Sequence, residues 1–393
     1  MQNLKQLGNT FVILIVLTTL SIINTAIFKV YQSTALYVNI LFSILGLLFF
    51  HVELSKSSVL YLSLVAACVL LSLFITDGGI GSVLTFLAPL LLLLVYSQLF
   101  FTKYARKILL NLGIIGLVIL FLYSFKYHAN YKTYLKVKIN PNTLGVFTLF
   151  FFMIVCVLGQ FKRKLSYLGA LILLFFSIYS MYNYESRGTT VALCCFVLMS
   201  LVPKKMYNRR VFFILTALLI VVGTAFPFVY LALYKSGYTV KIFGKPLFTG
   251  REKLWSNMFA LMSDDFVKIL FGMGSNTVLW EHELNVHNNF FNIIVNFGVV
   301  GYLLYYTFIL NQIWNASEYI SQPVIRKSLS MFLCSVIVLG FSETTSLWAV
   351  IFPFAYFGLI LANSEASFIE RKNEIDNINV NILVNNAKTR YVE

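Results

Sequence analysis

Three side chains with chemical potential stand where apolar runs begin. Arg187 lies in Glu185-Ser-Arg-Gly188, just ahead of one such run, and Arg251 opens the helical stretch after Thr249-Gly250. His287 is followed by Asn288 and then by a long apolar stretch. Cations are disfavoured at a helix N-terminus, because the helix dipole already places positive charge there. Two arginines set against that preference imply a compensating anion. First-turn N–H groups and a guanidinium fork point at the same oxygens, so the combination suits phosphate. An imidazole among the same positive ends serves as a general base when it is neutral.

Each residue also has a plainer reading. An arginine at a membrane helix end is commonly a snorkelling anchor, which on its own is the better reading of Arg187. Arg251 reads equally as part of a solvated helix face, and His287 alone as a polar interface residue. His282 and His287 with Glu281 and Glu283 resemble a metal cluster, but the His-x4-His spacing has no settled helix to present it and no third ligand stands nearby, so no metal is expected. Gly272-Met-Gly274 reads as a turn rather than a phosphate loop. The five cysteines lack metal-type spacing and read as small core residues.

The elements that must position these groups are membrane helices. Of 393 residues, 59% are hydrophobic and 11% charged, where soluble domains carry about 25% charged residues. Mean hydropathy is +0.82. The expected fold is all-α: a polytopic bundle over 1–363 of about 12 transmembrane helices. The spans are placed at 10–28, 34–51, 57–75, 82–101, 107–125, 143–161, 165–182, 188–203, 211–234, 288–312, 328–346 and 348–363. The first is a retained helix, since no small-residue cleavage site follows it. Residues 235–287 form one large extracytoplasmic loop, and 364–393 a polar, Asn-rich cytoplasmic tail. The net charge of +15 belongs to topology and anionic lipid heads, not to nucleic acid. With the N-terminus inside and the long loop left out, sixteen basic residues from Lys5 to Lys372 lie on the inner side and six on the outer, so both termini are cytoplasmic. The exception is 126–138, with four lysines on the outer side.

Within the loop, Thr249 and Glu252 have capping-box spacing. Leu254, Met258, Leu261 and Met262 then repeat at helical spacing beside Trp255 and Phe259, giving a short amphipathic helix suited to the membrane interface. Asp264-Asp265 can cap a second turn that stops at Gly272. The loop holds no Asp-x-Asp pair.

Taken in order, Thr249-Gly-Arg-Glu-Lys-Leu-Trp255, Ile269-Leu-Phe-Gly-Met-Gly274 and His287-Asn-Asn-Phe-Phe-Asn-Ile-Ile-Val-Asn-Phe-Gly298-Val-Val-Gly301 resemble the signature of the O-antigen polymerase and ligase family. Ser186-Arg187-Gly188 resembles its upstream element. The motifs cover about 180–310; the first half of the chain matches by topology alone. The resemblance implies an inverting, metal-independent glycosyltransferase of the bacterial inner membrane with no cofactor. Its donor and acceptor are glycans on an undecaprenyl-pyrophosphate carrier, with a chain-length regulator and a flippase as further partners. Arg187 and Arg251 then hold the pyrophosphate, and His287 takes the acceptor proton. Asn288, Glu252 and Trp255 fall in the substrate-binding set, as do Gly298 and Gly301, which would let a helix or lipid tail approach. The Phe/Tyr/Ile bias favours a polymerase of repeat units over a ligase to lipid A–core.

Two other classes stay open. A polysaccharide transporter or flippase shares the twelve-span layout, but such carriers show repeat symmetry and mid-membrane ionisable groups. Here His51, Glu185, Arg187 and Glu343 all sit near span ends. A non-catalytic assembly scaffold would leave Arg187, Arg251 and His287 dispensable.

Overall fold

Apolar runs in lipid have no hydrogen-bond partner but their own backbone, so they close into helices. The computed structural model shows this over the residues it describes: 32–49, 56–75, 80–97, 101–130, 141–162, 166–237, 241–242, 245–246, 250–274, 286–320, 323–344 and 351–363. The helices in chain order are α1 (Gln32–Phe49), α2 (Lys56–Ile75), α3 (Ile80–Ser97), α4 (Lys103–Asn130), α5 (Pro141–Lys162), α6 (Tyr167–Asn183), α7 (Arg187–Leu201) and α8 (Arg209–Lys235). Then come α9 (Arg251–Ser263), α10 (Phe266–Phe271), α11 (Asn289–Tyr319), α12 (Pro323–Leu339) and the single turn α13 (Phe352–Ala355), with further helix over 357–363. The protein is a helical membrane protein. Among the described residues four helical stretches are long and apolar enough to cross a bilayer: Lys103–Phe125, Pro141–Gln160, Arg209–Lys235 and Asn289–Ser317. The expected first span at 10–28 and the tail at 364–393 lie outside the described residues, as do Thr249, Glu281, His282 and Glu283.

Burial separates the helices by role. The apolar window of α5 is 89% buried, against 22% for α4 and 28% for α8. A helix apolar on every side and enclosed by others is the centre of a bundle; α4 and α8 show one face outward. Aromatic contacts fill the interior, with Phe86 on Phe297 at 4.1 Å and Phe147 on Phe354 at 5.4 Å between ring centroids. α12 packs on α5, α7 and α8; α11 packs on α2, α8 and α10.

The fold is all-α among the described residues, but for a minimal antiparallel ladder of Lys241–Ile242 with Lys245–Pro246. Three local expectations need correction. The span placed at 328–346 begins at Pro323 and ends at Leu339, after which Gly340 to Glu343 unwind through backbone bonds to Val336, Val338 and Leu339. The cap of α9 is Gly250 at φ 93°, not Thr249. Both Glu252 carboxylate oxygens accept the Gly250 N–H at 3.0 Å, so the acidic half of the capping box reaches back one residue short. The apolar face of α9 is covered by protein rather than lipid. Leu254, Trp255, Met258 and Met262 form a second small core with Tyr230, Leu231, Met273, Val286, Phe291 and Val295. Asp265 does cap α10, its Oδ1 accepting the Val267 N–H at 2.8 Å.

α11 is one long helix broken at Gly298, which sits at φ 68°, ψ −175°. The break frees two carbonyls, and a loop fills it. Met273 N–H donates to Val295 O at 2.8 Å and Gly274 N–H to Asn296 O at 3.1 Å, while Gly272 N–H closes α10 on Lys268 O. A Cβ on Gly298 would collide with the Leu270 carbonyl, and a Cβ on Gly272 with the Asn296 backbone. Two left-handed glycines thus interlock backbone to backbone, and the 266–274 segment is stitched into a membrane helix. The close approach expected at Gly298 is made by this loop. Gly301 faces the side chain of Phe297, 2.6 Å from where a Cβ would be.

Candidate functional site

Three helix N-termini and one turn meet at one end of the bundle. The turn is Gly340–Glu343, immediately after α12. Each arm reaches it through a contact the sequence dictates.

The first arm is the head of α7. Helix α6 ends in a Schellman arrangement: Ser186 N–H bonds Met181 O at 3.1 Å and Glu185 N–H bonds Tyr182 O at 3.0 Å. Glu185 occupies the left-handed position at φ 52°, usually a glycine's place. Arg187 is the first residue of α7. Gly188 lies so close to Ser342 that any Cβ would strike its hydroxyl, which sets the α7 head against the turn. Ser186 in turn fits against Gly145 of α5, 2.5 Å from a Cβ built there.

The second arm is α9. Arg251 is its first residue, and an Arg251 Nη2 lies 3.6 Å from Glu343 Oε1. Trp255, one turn on and fully buried, donates its indole N–H to Val286 O at 2.7 Å.

The third arm is the 286–289 segment. His287 Nδ1 lies 3.6 Å from Glu343 Oε2, the carboxylate that also faces Arg251. At 3.6 Å neither contact is a tight hydrogen bond. His287 is left-handed at φ 54°, a conformation that costs a non-glycine residue about 1–3 kcal/mol and persists where neighbours enforce it. The enforcement is visible on both sides. Trp255 holds Val286, and Asn289 N–H donates to Gly340 O at 2.7 Å. Asn288, with no exposed surface, caps α11 by accepting the Phe291 N–H at 2.7 Å. Its Nδ2 donates to Phe341 O at 3.1 Å and reaches Gly223 O at 3.4 Å. That last carbonyl is free for a simple reason: Pro227, four residues on in α8, has no N–H to give it.

The electrostatics follow from this convergence. Burial lowers the proton affinity of Arg187, the first residue of α7, and the Arg251 guanidinium lowers it further; Tyr230 and Glu185 act in the opposite direction. The two arginines therefore feel each other's charge. The Arg251 guanidinium and the His287 imidazole face the Glu343 carboxylate, whose side chain is 13% exposed beside Arg251 at 22% and His287 at 27%.

Of the residues singled out from sequence, Arg251 and His287 share one carboxylate, and Arg187 lies within electrostatic reach. Glu252 is buried as a helix cap, Trp255 as a clamp, and Asn288 as a cap and carbonyl anchor, so these three hold the site's shape. Gly298 and Gly301 belong to the α11 break and its following turn. Gly272-Met-Gly274 spends its three N–H groups on protein carbonyls. The residue that sequence reasoning passed over is Glu343, which looked like the end of an apolar run. The signal was available: two arginines against helix dipoles call for an acid, and Phe341-Ser-Glu-Thr supplies one at a span end. A cleft of about 540 Å³ lies elsewhere, between α8 and α9, lined by Phe228, Leu231, Lys235, Ser256 and Phe259 among others; Arg187, Arg251 and His287 do not line it.

No protein-family model, curated protein or solved structure matches the chain.

Proposed function

We propose that the protein is a metal-independent glycosyltransferase that joins oligosaccharide repeat units carried on a polyprenyl pyrophosphate, at the outer face of the bacterial inner membrane. On this reading about twelve spans leave both termini in the cytoplasm, and 235–287 is the external loop. The observation that carries it is the convergence of Arg251 and His287 on Glu343 with Arg187 close by. Two guanidiniums and an imidazole gather at a membrane helix end, as transfer from a lipid diphosphate requires.

The chemistry then runs as a single displacement. Arg187 and Arg251 bind the donor's diphosphate through charge-assisted, forked hydrogen bonds. The acceptor hydroxyl oxygen attacks the donor anomeric carbon from the face opposite the leaving group. The carbon–oxygen bond to pyrophosphate breaks, the bonding electrons leave on the diphosphate, and the configuration inverts. The acceptor proton passes to His287, and Glu343 stabilises the imidazolium that results. The guanidiniums meet the charge that grows on the leaving oxygen.

The test is reconstitution. The purified protein, in nanodiscs with polyprenyl-pyrophosphate-linked repeats, is expected to yield longer glycans; well-folded protein that elongates nothing refutes the reading. His287→Ala and Arg251→Ala should each abolish elongation with normal insertion. Surface glycan in a deletion strain separates the two transferases: a single repeat on the core marks a lost polymerase, a bare core a lost ligase.

A further inference from the structure

Below the site, between α11, α12 and the 351–363 segment, lies a cavity of about 50 Å³. Its lining includes Asn289, Tyr305, Tyr306 and Tyr356 among aliphatic side chains such as Ile309 and Leu333. All six are more than nine-tenths buried. Tyr306 Oη is held by the Asn289 side-chain amide, Nδ2 to Oη 3.0 Å. The Tyr356 hydroxyl is fully buried, and no described group bonds it. A buried hydroxyl left without a partner costs about 1–3 kcal/mol, and within a bilayer no lipid tail can meet it. The cavity is large enough for ordered water, which needs roughly 10–15 Å³ of free space and two or more polar neighbours.

We propose that the cavity is a hydration site: one ordered water or a pair, hydrogen-bonded by Tyr356 Oη and the Asn289 side chain. The water ties the 351–363 segment to the first turn of α11. That turn is the one whose Asn289 N–H is gripped by Gly340 O, two residues from His287. The hydration site therefore braces from within the membrane the same helix head that the Gly340–Glu343 turn holds from the end. The inference is independent of glycosyl transfer and is tested without turnover.

Two measurements on the full-length protein in nanodiscs decide it. An experimental map that resolves waters should show density within hydrogen-bonding distance of both Tyr356 Oη and Asn289. An empty cavity there, or a protein group bonded to the tyrosine oxygen in place of water, overturns the proposal. Xenon under pressure enters dry apolar cavities and should not enter this one; xenon bound between Tyr305 and Tyr356 overturns it as well. Tyr356→Phe supplies the energetic check. Removing one anchor of a bound water should lower Tm by roughly 2 °C, whereas removing an unsatisfied hydroxyl from a dry cavity leaves Tm unchanged or raises it, which also counts against the water.

Discussion

Replacing Gly298 with alanine tests the backbone interlock at the break in α11. Alanine at φ 68° enters the left-handed region at a cost of roughly 1–2 kcal/mol. The larger effect is steric, because the added methyl meets the Leu270 carbonyl, which is backbone and cannot rotate aside. Residues 270–274 must then withdraw, and the bonds from Met273 N–H to Val295 O and Gly274 N–H to Asn296 O go with them. Each contributes about 1 kcal/mol. The total of about 3–4 kcal/mol corresponds to a docked population lower by a factor of about 100 to 1,000. Hydrogen exchange read by mass spectrometry reports it directly. Protection of the Met273 and Gly274 amides should fall by about two orders of magnitude or more, with α4 and α5 unchanged. Gly301→Ala, which needs only the Phe297 side chain to shift, should lose far less. Wild-type protection at Met273 and Gly274 in Gly298→Ala would refute the interlock.

Three further outcomes follow from the site. Trp255→Phe strands the Val286 carbonyl and frees the strained His287; faster amide exchange at 286–289 and a loss of about 1–3 kcal/mol are expected in a denaturation series. Asn288→Ala removes a helix cap and a donor to two carbonyls at once, for a loss of about 2–4 kcal/mol, more than any single contact in the segment and measurable as a lower Tm. Glu343→Gln keeps the shape but removes the charge shared by Arg251 and His287; in the elongation assay kcat should fall at least tenfold while the donor KM does not rise, and an unchanged kcat would remove Glu343 from the mechanism.

The helices were legible because lipid allows an apolar run little else; from α1 to α8 the expected boundaries differ from the observed ones by a few residues. The arginines and the histidine were legible because their types conflict with their positions. What stayed hidden was pairwise and long-range. Nothing local marks Glu343 as the partner of Arg251, since the pairing depends on how α12 ends, and the turn that follows is packed with Ser342 against Gly188 of a different helix. Asn288 looked like a candidate for sugar contact because its role needs a carbonyl that Pro227 liberates in a different helix. Glycine motifs were visible, but Gly298 needed the partner loop, Gly272 included, to reveal what it accommodates.

The Gly340–Glu343 turn has a consequence for biosynthesis. Ribosomes deliver the α7 head, then α9, then the 286–289 segment, and only afterwards the turn on which all three depend. A nascent chain thus carries Arg251 and His287 well before the carboxylate that both of them face is made. The cluster is completed late, once α12 has followed, so a chain stalled before that point should leave the 286–289 segment without its Gly340 and Phe341 contacts and open to protease.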